Sequence, residues 1–154
     1  MAHLNDHDRW TAACHHEAAH CVVAITLGLP ITDVTLDWTD HRPDGLVRIP
    51  DHITNPAPLA LVVAAGALGE ALWVHHNHAT TLKSAYQVAE QLNAHDAAAL
   101  DGYLRDGQLD HQDVLDEALR LVDEAWGFVE VLAVAISATG YLTGRQLRQL
   151  ARAA

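Results

Sequence analysis

Two histidines four residues apart, with a glutamate directly after the first, stand at His16-Glu17-Ala18-Ala19-His20. Residues four apart share a helix face, so both imidazoles can turn toward one ion. Glu17 lies about 100° around the axis, off the ligand line yet close enough to take a proton from a water at the ion. This is the HExxH zinc pattern, in which the ion supplies Lewis acidity and the carboxylate acts as base. The chain's own His and Glu frequencies give roughly 0.04 chance matches, so coincidence explains it poorly.

A catalytic zinc usually takes three protein ligands and leaves one position open. Two acidic residues could complete the set. Glu70 closes the segment Gly66-Ala67-Leu68-Gly69-Glu70, whose small residues allow another helix to approach. Asp96 follows Asn93-Ala94-His95 at an expected helix start. The plain role for Asp96 is an N-cap, and for Glu70 it is orienting a ligating histidine. Spacing leaves the choice open.

The elements that must hold these groups are mostly helical. Alternation is confined to Val34, Leu36 and Trp38, a strand, with Gly45 to Ile49 pairing back across a polar loop over 39–44. The metal motif falls in a helix expected from Asp8 or Thr11 to Leu27, stopped by Gly28-Leu29-Pro30. On it Cys14, Ala18, Cys21 and Ile25 gather opposite His16 and His20, so the cysteines read as core rather than ligands. Further helices are expected at about 57–75, 82–93, 96–105, 111–139 and 144–152. Gly140 suits a C-cap, and Thr143 with Gln146 has capping-box spacing.

The chain of 154 residues suits a single domain, 1–154. Nine Lys and Arg stand against 20 Asp and Glu, a net charge of −11, which argues against nucleic-acid or anionic-lipid binding by bulk charge. The apolar stretch 57–74 is rich in alanine and glycine, carries Pro58 and Glu70, and reads as a buried helix rather than a membrane span. Two cysteines and no secretory signal predict a reduced, cytoplasmic protein. Of the twelve histidines, His75, His76 and His78 read as a solvated helix end, and His3, His7, His41, His52, His95 and His111 as surface. Arg145, Arg148 and Arg152 read as a solvated helix face.

Ala13-Cys14-His15-His16-Glu17-Ala18-Ala19-His20-Cys21-Val22-Val23-Ala24 resembles the active-site helix of the FtsH peptidase family. Pro30 to Leu36 and Gly45-Leu46-Val47 are similar to its next two strands, and Ala65 to Glu70 to its glycine-acid helix. The resemblance implies a zincin-like α+β domain, mainly helical, with the HExxH helix, a short β-hairpin and a C-terminal helical bundle. It implies Zn2+ held by His16, His20 and Asp96, with Glu17 as the catalytic base of a metalloendopeptidase acting on peptide or unfolded protein. Ala19 stands where the family has glycine. The 154 residues show no ATPase module, so the resemblance implies peptide hydrolysis without ATP-driven unfolding, and leaves a homo-oligomer or a separate ATPase open as partner. Two rivals remain at this level: another small HExxH peptidase using Glu70 as third ligand, and a non-catalytic zinc-binding interaction module.

Overall fold

Helix α1 (Asp6–Thr26) starts earlier than its apolar periodicity predicts because Asn5 caps it, its side-chain oxygen accepting the Asp8 N–H at 2.9 Å. The computed structural model describes residues 4–154, so His3 lies outside it. From Ala12 to Ala24 every residue of α1 except Ala13 is buried. A helix covered on all faces must be central. α1 packs against α2 (Pro56–Asn77), against α6 (Trp126–Thr139) and against a small antiparallel sheet.

The sheet has order β2-β1-β3, from β1 (Asp33–Thr39), β2 (Arg42–Arg48) and β3 (Tyr141–Thr143). Val34 and Leu36 point inward and are buried, opposite Val47 and Gly45 on β2. β2 begins three residues before the expected Gly45. The turn is only Asp40-His41, with φ of 48° and 63°, the left-handed pair that a two-residue hairpin loop demands. Polarity made these residues read as a longer loop. β3 was not foreseen; three residues are too few to show alternation, and they pair with the free edge of β1.

α2 carries Pro56 at its first turn and an Asn55 cap. By length and composition alone it could cross a membrane, with a mean hydropathy of 1.8 over its most apolar window. In the fold 67% of that window is buried, against α1, α3 (Leu82–Leu92), α4 (Ala94–Gly107) and α5 (His111–Glu124). The expected single helix over 111–139 is two, α5 and α6, divided at Ala125 (φ −102°, ψ 17°). The break lets Trp126 lie against His15 and His76. α7 (Gly144–Ala153) opens with the expected capping box of Thr143 and Gln146, and Gly140 ends α6 at φ 66°. The C-terminal helices are therefore interrupted by a strand that joins the hairpin sheet. The architecture is α+β and mainly helical.

Candidate metal centre

Helix α1 presents Arg9, Ala13, His16, Glu17 and His20 to one cavity of about 520 Å3. α2 forms another wall through Leu59 and Val62, β2 a third through Pro43 to Val47, and the α3–α4 junction a fourth through Leu92 to Asp96. The HExxH helix thus meets residues of the hairpin, α2 and the α3–α4 junction.

The imidazole hydrogens decide what the histidines can do. His20 Nδ1 lies 2.6 Å from the Val62 carbonyl oxygen, which can only accept, so Nδ1 carries the hydrogen. His16 Nδ1 lies 3.0 Å from Glu70 Oε2 and donates to that carboxylate. In their neutral forms both imidazoles then turn an Nε2 lone pair to the same place. Asp96 Oδ2 meets them there, 2.8 Å from His16 Nε2 and 3.2 Å from His20 Nε2. One ligand atom from each of the three residues falls within 4.8 Å of the others, a group able to hold a metal ion.

Three such groups converging in a buried place need a proton or a metal ion between them. Burial opposes a charge on His16, but the Asp96 and Glu70 carboxylates overcome it and push the metal-free imidazolium up to about 10. Asp96 is held well below the usual carboxylate range: burial opposes this, and the His16 and His20 hydrogen bonds outweigh it. The donor set fits a divalent ion of borderline softness, since two imidazoles and a carboxylate suit zinc and its neighbours.

Local sequence explains how each group arrives. Asp96 is not the cap of α4; Asn93 occupies that position, and Asp96, in the first turn, turns its carboxylate to the histidines. Glu70 reaches the back of His16 rather than its Nε2, so the structure brings Asp96 and not Glu70 to the converging atoms. Gly66 makes the approach of α2 feasible, for a Cβ there would strike Nε2 of both His16 and His20.

Glu17 stands beside this group under β2. A Cβ on Gly45 would collide with its carboxylate, so the strand backbone lies directly against it. Glu17 is 5% exposed, and its Oε2 is buried without a hydrogen-bond partner. Leaving such an atom unpaired costs on the order of 1–3 kcal/mol or more. Burial raises its carboxyl pKa, against the pull of His16 and His20. Such an atom calls for a partner, a water or an ion, from outside the chain.

The cysteines are free and buried, as their helix face predicts. Burial pushes Cys14 up to about 11 and Cys21 well above its ordinary value, and neither belongs to the converging group. His7, His41, His52, His95 and His111 are exposed. His15 escaped the sequence reading: it is 7% exposed, lying against Trp73 and Trp126. Only the tryptophans, remote in sequence, reveal its burial. No protein-family model matches the chain, and no curated protein matches it.

Proposed function

We propose that this protein is a zinc-dependent peptidase, an FtsH-peptidase-like domain of zincin type, hydrolysing peptide or unfolded protein. The observation that carries it is the pairing of two features in one cavity. Three converging donors, His16, His20 and Asp96, adjoin a buried carboxylate, Glu17, that has no partner for Oε2. The HExxH order of these residues, and their resemblance to the FtsH peptidase helix, supply the reaction class.

His16, His20 and Asp96 would hold the ion. Zinc bound there supplies Lewis acidity and brings the pKa of water toward neutrality. Glu17 takes a proton from the attacking water as the C–O bond forms, then delivers it to the leaving amine as the C–N bond breaks. Glu70 and the Val62 carbonyl hold the two imidazoles in the tautomer that leaves Nε2 free. The apolar wall of Leu59, Val62 and Leu92 gives a substrate side chain a surface to bury.

Glu17→Gln tests the assignment directly. The variant is expected to keep about one zinc per chain by elemental analysis, because the ligands are untouched. Its hydrolysis of unfolded casein should fall by about 10²- to 10⁴-fold, the usual contribution of a general base. Undiminished hydrolysis would overturn the mechanism. Tight zinc binding by the wild-type chain, with no turnover on peptide libraries, would favour a non-catalytic zinc module instead.

A further inference from the structure

Beside Asp96, the α3–α4 junction contains a second residue whose side chain leaves its own helices to reach another. Asn93 ends α3 and begins α4 (φ −113°, ψ 53°), yet its side chain makes no capping bond to α4. Its amide nitrogen donates to Ala89 O at 2.7 Å and to Glu70 Oε2 at 2.9 Å. Both amide hydrogens are therefore used. Turning the amide over would set its oxygen against a carbonyl and a carboxylate, so the orientation is fixed.

The same Glu70 oxygen accepts from His16 Nδ1. The contacts close a ring: Asn93 holds Glu70, Glu70 holds His16, His16 faces Asp96, and Asp96 lies three residues along the chain from Asn93. The geometry points to Asn93 as a positioning residue for the metal centre, fixing α1's first histidine and α4's aspartate relative to each other through Glu70. Without it, Glu70 loses a donor at 2.9 Å, and the helix bearing Asp96 loses its side-chain tie to α2. Two ligands from separate helices would then find their separation only on binding the ion. Outer partners of this kind are typically worth 10- to 100-fold in metal affinity.

The inference rests on the metal-site reading above, and the test separates the two. Zinc and cobalt(II) affinities are measured by chelator competition for wild-type and Asn93→Asp proteins, together with the cobalt visible spectrum and the melting temperature of the metal-free forms. Asn93→Asp is isosteric but replaces the donor facing Glu70 with an acceptor. Expected are a 10- to 100-fold weaker affinity and a shifted cobalt band. The loss should vanish when Glu70→Ala is already present, because the effect passes through that carboxylate. Asn93→Ser, which caps helices well but is too short to reach Glu70, should show the same loss and guards against misfolding of the first variant. Equal affinities, or a lowered melting temperature with unchanged affinity and spectrum, would overturn the positioning role. A wild-type chain that binds neither metal overturns the metal site itself, a different result.

Discussion

His15 and His16 are neighbours on one helix and live in opposite chemical worlds. His16 turns to two carboxylates, Glu70 and Asp96, which push it up to about 10. His15 points the other way, stacked 5.6 Å from Trp126 and tilted 5.7 Å from Trp73. Burial lowers its pKa, and its Nδ1 donates to Thr11 O at 2.7 Å. Around it stand the histidines of the α2 end. His76 meets Trp126 edge-on at 5.2 Å, His78 meets Trp73 at 5.5 Å, and His75 donates to Thr80 O at 2.8 Å. One face of α1 sets its histidines against Glu70 and Asp96; on the other, His15, His76 and His78 lie against indoles. Neither the count nor the burial of histidines makes a metal site; what the second ring nitrogen faces does.

The comparison breaks most sharply on the two neighbours themselves. His16→Ala should take the zinc content from about one per chain to near zero. His15→Ala should keep the zinc and lose about 2 kcal/mol or more of stability in urea unfolding, from the space left between two tryptophans. Zinc lost from His15→Ala would dissolve the distinction. Next in size is the contrast of the two acids. Asp96→Ala removes a converging ligand and should weaken zinc more than Glu70→Ala, for which about 10- to 100-fold is expected. The reverse order in chelator competition would make Glu70 the ligand.

A smaller effect sharpens the same contrast sterically. Gly66→Ala pushes a methyl at both Nε2 atoms and should lower zinc affinity along with about 1–3 kcal/mol of stability. Smallest is His76→Ala, where an exposed edge contact is removed. Less than about 1 kcal/mol should be lost in thermal or urea melts, with zinc unchanged.

The sequence revealed the parts of this arrangement that are local. His16, Glu17 and His20 sit within one and a half turns, and helix periodicity alone places them on neighbouring faces. The buried cysteine face, the Thr143 cap and the Gly140 stop were legible for the same reason. Asp96 was nameable as a candidate, but its choice over Glu70 depends on where α2 and α4 fall against α1. The break at Ala125 has only Gly127 beside it in the sequence, and an isolated glycine is tolerated within a helix, so the packing of Trp126 is what shows it. The sequence suggested a longer hairpin loop because Asp40 and His41 are polar; their backbone, not their polarity, makes the turn.

Gly45 has a consequence for errors in folding. A hairpin slipped by two residues keeps every inward side chain inward, so the hydrophobic pattern of Val34, Leu36 and Val47 resists it only weakly. Such a slip would bring Pro43 or Val47 to the place now held by Gly45, and either would collide with Glu17. The Glu17 carboxylate therefore acts as a gauge for its own roof. Only the register that leaves this carboxylate uncrowded can close over it, and insertions or deletions of two residues beside the turn should be tolerated far less than the exposure of that turn would suggest.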